Sequence, residues 1–406
     1  MKNIIYLFLL LSSNTVFAQE CESDFIIVVD QELSPITFRV NTNSSFYIDW
    51  SNDGHWVEVT TNGMETIEHH FTGSIDTIRI RGELNHFNAP QSIIDVAQWG
   101  HTNFTSFQNA FYHCTNLIAF SAKDTPDLSS VSIMWAAFAR ATHFNGDLSK
   151  WNMSSVTDMG WMFSGASSFN GDLSKWDVSS VTDMPMMFEE ALSFNGDISN
   201  WDVSSVEYMS WMFYGAVTFN SDISLWDVSS VVDMSGMFHR AKSFKGDLSK
   251  WDVTSVYALR SFLLDTNYPS DKYDDLLNSW SQLDLVKYLE IDISATYCKG
   301  EAGRQKIVSE HGWEIYDHGK SCPNSIDFVQ YNVNNANNQK TKIEISGRVN
   351  WKLYDFNGQL IEFGSLNLKP GEELKWWELQ KKYHTASILR LHDSSGKISV
   401  IKFSKV

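Results

Sequence analysis

Between residues 144 and 268 the apolar positions recur every 25 residues. Trp151, Trp176, Trp201, Trp226 and Trp251 form one column, and Phe169, Phe194, Phe219 and Phe244 a second. Met159, Met184, Met209 and Met234 form a third, Phe163, Phe188, Phe213 and Phe238 a fourth, and Ala166, Ala191, Ala216 and Ala241 a fifth. Self-similarity at a fixed period of this length signals repeats that bury their apolar faces against one another. Within a unit, Leu173, Trp176 and Val178 carry the spacing of a short strand whose side chains point inward, while Ser174, Lys175 and Asp177 face solvent. Phe-Asn-Gly-Asp reads as a turn, and Met184, Met187 and Phe188 are spaced as a helical or 3₁₀ turn on the convex side. One unit has too few apolar side chains to offset the ordering of its backbone, so neighbouring units must close each other's edges and both ends need caps.

The flanks follow other patterns. Apolar residues alternate at Ile36, Phe38 and Val40 and again at Ile78 and Ile80, with turn-rich stretches such as Ser51-Asn52-Asp53-Gly54 between them, which predicts an antiparallel β module over 19–90. Helical spacing returns at Tyr273–Trp280 and at Gly300–His311, predicting a helical cap over 269–322. From 323 to 406 short strands reappear, with Asn357-Gly358 as a hairpin signal. Before all of these, residues 1–18 combine Lys2, an apolar run from Ile4 to Leu11 and the small-residue site Val16-Phe17-Ala18, the composition of a secretory signal peptide.

Three resemblances refine this division. The unit W-D-V-S-S-V-x-x-M-x-x-M-F-x-x-A resembles the BspA-like leucine-rich repeats of bacterial surface proteins, with A-F-Y-H-C-T-N-L at 110–117 similar to a divergent first turn and 118–143 a second. The resemblance implies a leucine-rich-repeat solenoid over 91–268, of short parallel strands and helical or 3₁₀ convex turns. Tyr47-Ile48-Asp49-Trp50 with Asp53-Gly54 and Ile78-Arg79-Ile80-Arg81-Gly82 resembles a PKD-like β-sandwich. The elements Y-D-F-N-G-Q-L-I and L-R-L-H-D-S-S-G-K-I-S-V-I-K-F are similar to the type A sorting domains of the type IX secretion system of Bacteroidota, a small β-sandwich. That last resemblance implies the secretion machinery as a partner, passage through inner and outer membranes, and surface attachment or release.

Composition adjusts the picture. The 406 residues are 43% hydrophobic and 14% aromatic, too rich in aromatics for disorder, and a formal net charge of -18 disfavours nucleic acid and anionic membranes as partners. No segment after the signal peptide is long and apolar enough to be read as a transmembrane span. Of four cysteines, Cys298 and Cys322 bracket one small segment and are expected to pair; Cys114 stands in an alanine column, as a buried thiol or as a partner for Cys21.

No G-x-S-x-G, H-E-x-x-H or phosphate-binding loop is present, and His69, His70 and His311 read as ordinary surface or helix-end histidines, so catalysis is not expected. The carboxylates Asp177, Asp202, Asp227 and Asp252 stand in one column, and Asp147, Asp172, Asp197, Asp222 and Asp247 in another. Their periodicity suits a structural role in turns. No cofactor is expected, although a calcium ladder along these columns stays open. The outward residues Lys150, Lys175, Asp177, Asp202, Asp227 and Asp252 form the expected binding face of a secreted, non-catalytic protein that takes a protein or carbohydrate ligand. A structural envelope spacer is the alternative, and a secreted hydrolase a more distant one. The tryptophan column reads as core, which would exclude it from sugar stacking.

Overall fold

The computed structural model describes residues 23–30, 36–42, 45–61, 63–70 and 75–322, and beyond them five strands. The expected signal peptide at 1–18 and Cys21 lie outside the described residues. The chain divides into two compact units, 1–320 and 321–406.

The first unit opens with eight strands: β1 (Phe25–Asp30), β2 (Ile36–Thr42), β3 (Ser45–Asp49), β4 (Trp56–Thr60), β5 (Gly63–His69), β6 (Ile75–Arg81), β7 (His86–Asn88) and β8 (Ile93–Gln98). They form two antiparallel sheets, β4-β3-β6-β1-β8 and β5-β2-β7. Alternation sets the layers: Ile36, Phe38 and Val40 are buried while Thr37 and Arg39 are exposed. Phe25 meets Phe87 at 5.0 Å and Phe38 meets Trp50 at 5.8 Å, joining the sheets. Asp24, fully buried, accepts hydrogen bonds from Arg79 and Arg81, and the Arg81 guanidinium lies 4.4 Å from the Trp56 ring.

The expected leucine-rich-repeat solenoid is not found. The regular sheets are mostly antiparallel and lie in the flanks, and the described residues hold only two helices. Neither a strand at 173–178 nor a helical turn at 184–188 forms. Each 25-residue unit is instead a series of turns, joined to the next by one parallel bridge per unit: Ile133, Asp158, Asp183, Tyr208, Asp233 and Ala258 in succession.

The reason lies in how the backbone donors divide. Met159, Trp161, Phe163 and Gly165 donate to Asp183, Pro185, Met187 and Glu189 of the next unit at 2.7–2.9 Å. The residues between them, Met162, Ser164 and Ala166, donate back to Met159, Trp161 and Phe163 at 2.9–3.2 Å. A helix would spend every N–H within the segment, and a strand would spend none there. Alternation gives neither, and it requires left-handed backbone twice per unit, at Trp161, Met186 and Trp211 and again at Gly165, Glu190 and Gly215.

Where no backbone ladder forms, side chains take its place. Trp176, Trp201, Trp226 and Trp251 each donate the indole N–H to a carbonyl of the preceding unit, Leu148, Leu173, Ile198 and Ile223, at 3.0–3.1 Å. Asn145, Asn170, Asn195 and Asn220 accept from the backbone N–H of residues 170, 195, 220 and 245 at 2.7–2.9 Å. The apolar columns are fully enclosed, and their rings stack nearly parallel, as Phe188 does on Phe213 at 5.7 Å and 3°.

Both ends of the stack are closed. Trp99, just beyond β8, meets Phe120 at 5.1 Å and Trp151 at 5.4 Å. At the far end β9 (Leu259–Leu263), β10 (Glu290–Ile293) and β11 (Glu314–Tyr316) form a parallel sheet, with α1 (Ser270–Trp280) and α2 (Glu301–His311) beside it. Trp280 continues the indole ladder from helix α1, donating to Leu248 O at 3.2 Å. Cys298 and Cys322 are both disulfide-bonded, whereas Cys114 is free and buried, and burial pushes its thiol pKa up.

In the second unit β12 (Asp327–Phe328), β13 (Gly347–Asp355), β14 (Leu360–Leu368), β15 (Ala386–His392) and β16 (Ile398–Lys402) form one sheet in the order β12-β16-β15-β13-β14. β13 and β14 pair antiparallel on either side of the Asn357-Gly358 signal, whose residues lie outside the described ones.

Candidate functional site

The bridged face of the stack is its inner curve. Bridged chains lie about 4.8 Å apart. Deeper in the unit, successive rings of the Phe163 column are 5.5–5.7 Å apart, those of the Phe169 column 5.9–6.2 Å, and the Trp176 column 6.4 Å. The units fan outward from the bridges, and the turns carrying Asp177 and its equivalents sit on the wide side.

On that wide side Lys150, Lys175, Asp177, Asp202, Asp227 and Asp252 are all exposed. The aspartates are engaged by their own turns. Asp177 Oδ1 accepts from Ser179 N at 3.2 Å and Ser179 Oγ at 2.6 Å; Ser204, Ser229 and Thr254 repeat the pair on Asp202, Asp227 and Asp252. In the second column Asp147, Asp172, Asp197, Asp222 and Asp247 each accept from the N–H two residues on at 2.9–3.0 Å. Donation from Ser179 and Ser229, hydroxyl first and backbone second, holds the carboxyls of Asp177 and Asp227 below the usual aspartate range. Among the described residues no group of three His, Cys, Asp or Glu is placed to hold a metal ion.

The histidines take ordinary positions: His69 stacks on Trp50 at 4.2 Å, His70 lies 3.3 Å from Glu68, and the ring of His311 lies 3.1 Å from Leu285 O. The Trp151–Trp251 column is buried, at 5% exposure or less, and presents no ring to solvent.

A different set of large side chains lines the inner curve. Trp135, Trp161, Met186 and Trp211 are half-buried, and Tyr208 and Tyr257 are exposed. Trp161, Met186 and Trp211 occupy one column, shared with Ala136, Gly236 and Ser261, and all six have left-handed backbone, with φ between 54° and 62°. Glycine is the residue that adopts this conformation without cost; a bulky side chain there costs about 1–2 kcal/mol. The fold sets the dihedral, so it gives no reason for tryptophan.

The rings are received by small neighbours. Trp211 lies against Gly236, where a Cβ would come within 2.4 Å of ring atom Cε3, and Trp135 lies against Gly160, where a Cβ would stand 3.0 Å from Cδ1. Trp135 and Trp161 are 6.0 Å apart, and Trp211 meets Tyr214 at 5.5 Å and His239 at 5.8 Å. Burial and the adjacent Arg240 push the His239 imidazole pKa down. Asp158, Asp183 and Asp233 run beside the row; burial, with the neighbouring Asp183 carboxylate, pushes the Asp158 carboxyl up. Beyond Tyr214 a cavity of about 280 Å³ opens between Glu190, Arg240 and Asp265.

This row escaped the reading of the sequence because it does not repeat. Its signal was the break in the column, Ala-Trp-Met-Trp-Gly-Ser at 25-residue intervals, where the core columns hold one residue type.

Two overlapping segments, residues 105–217 and 172–280, match the profile of a family described as Mycoplasma protein of unknown function, DUF285. Together they span less than half of the 406 residues, cover the stacked turns and α1, and support a repeat protein of the BspA-like kind. No curated protein and no solved structure matches the chain. No helix among the described residues is long and apolar enough to cross a membrane.

Proposed function

We propose that this is a non-catalytic cell-surface repeat protein that holds an extended ligand along the inner curve of its stacked turns. The observation that carries the reading is the column Trp161, Met186, Trp211, three bulky side chains kept in left-handed backbone where glycine costs least. Concave faces of stacked repeats are their usual binding surfaces. Display outside the cell is supported by the leader at 1–18 and by the likeness of the C-terminal segment to type IX sorting domains. On this reading the sorting segment directs export across the outer membrane, and adhesion is the role of the repeats.

The acidic turns on the wide side are scaffold, since their carboxylates serve their own backbones. The test is capture of glycans and extracellular proteins by the full chain from Gln19, compared with a Trp161→Gly/Trp211→Gly variant. Capture that falls at least tenfold in the variant, with no lower melting temperature, supports the reading. A wild-type chain that captures nothing favours the spacer.

A further inference from the structure

We propose that the ligand on the inner curve is an uncharged polysaccharide running along the stacking axis, with sugar rings resting on Trp161 and Trp211. This rests on the binding reading above.

The first argument is period. Trp161 and Trp211 occupy the same backbone position two units apart, so their attachment points repeat at about 10 Å, twice the spacing of paired chains. A globular partner offers no such period, whereas a polymer of identical rings does. The second is presentation. Trp211 packs against Gly236, meets Tyr214 and His239, and is still only half-buried, so part of its ring reaches solvent. A partly open indole suits the C–H face of a pyranose.

The third argument is the polar surround. Asp158 and Asp233 each spend one oxygen on a backbone N–H, of Gly160 and Ser235, at 2.8 Å, and Asp183 accepts from Thr182 Oγ1 at 2.6 Å. Each has a second oxygen to accept from a sugar hydroxyl. The last is charge: a net charge of -18, with these carboxylates beside the rings, repels a polyanionic glycan.

The experiment measures binding of the full chain from Gln19 to neutral β-glucan, mannan, xylan and chitin oligosaccharides of increasing length, at low and at high salt. Basic peptides and extracellular proteins are run alongside. Expected is binding to at least one neutral glycan that is insensitive to salt and strengthens sharply once the oligosaccharide spans both indoles. Trp211→Ala should weaken it roughly tenfold or more, the scale of a lost stacking platform; Trp211→Tyr should keep most of it. Trp161→Ala should abolish the length step, and unchanged melting curves show that these variants fold.

Binding confined to basic peptides and lost at high salt overturns the glycan in favour of a polycation. Protein capture that depends on Trp211, without glycan binding, overturns the glycan and leaves the binding reading standing. No capture of any class overturns both.

Discussion

The N-terminal sheets and the stacked turns both bury apolar cores, yet they satisfy their backbones by different means. In β1, β6 and β8 the ladder is backbone to backbone, with Phe25 opposite Ile80 and Ile27 opposite Val96, and side chains only pack. In the turns, half of each unit has no such ladder, and the Trp176 indole and the Asn170 amide supply its bonds. Residue identity is therefore looser in the sheets, where any apolar residue of suitable size keeps the ladder. In the turns a substitution that keeps volume but loses a donor or acceptor leaves a backbone group unpaired.

That difference can be tested by substitutions of decreasing effect, each read by chemical unfolding of the full chain. Phe188→Ala should be the most damaging, at about 3–5 kcal/mol, because its ring is fully buried between Phe163, Phe194 and Phe213. Trp201→Phe keeps most of the ring but strands the buried Leu173 carbonyl, and should cost about 1–3 kcal/mol. A cost near zero would mean that the indole bonds are incidental. Asn195→Ala should cost about 1 kcal/mol through loss of the Asn220 N–H acceptor. In the sheets, Ser45→Ala, which removes only the exposed contact with Thr60, should stay within about 0.5 kcal/mol.

The smallest effect concerns pH. The carboxyls of Asp177 and Asp227 titrate lower when folded than unfolded, so their contribution is present above the unfolded value, about pH 4, and is lost as pH falls below it. Stability should therefore decline in acid, and Asp177→Asn with Asp227→Asn should flatten that slope. An unchanged slope would show that the turns do not depend on ionised aspartate.

Much of this was legible in the sequence, for reasons that differ by element. The alternation at Ile36, Phe38 and Val40 specifies β2, and the spacing from Tyr273 to Trp280 specifies α1, because one face of each is buried. The columns of Trp201, Phe188 and Met184 announce units that bury one another. Hidden from the sequence was the backbone between those columns. Met184, Met187 and Phe188 have helical spacing, yet Phe188 donates to Met212 of the next unit rather than within its own turn. Apolar period reports which residues are buried and does not report where an N–H is spent. For the same reason Trp151 and Trp161 look alike on paper, although one is core and the other lies half-buried on the inner curve.

The side-chain ladders also have a direction. Each indole reaches back to a carbonyl of the unit before it, and each asparagine offers its oxygen to the unit after it. Every turn thus offers its successor acceptors for the side-chain ladders and, on the bridged face, backbone donors that wait for the successor's carbonyls. A chain that leaves the ribosome N-terminus first can lay down one turn at a time upon the sheets, like courses of brick on a footing. The last course is then sealed by Trp280, whose indole occupies the place of a further repeat.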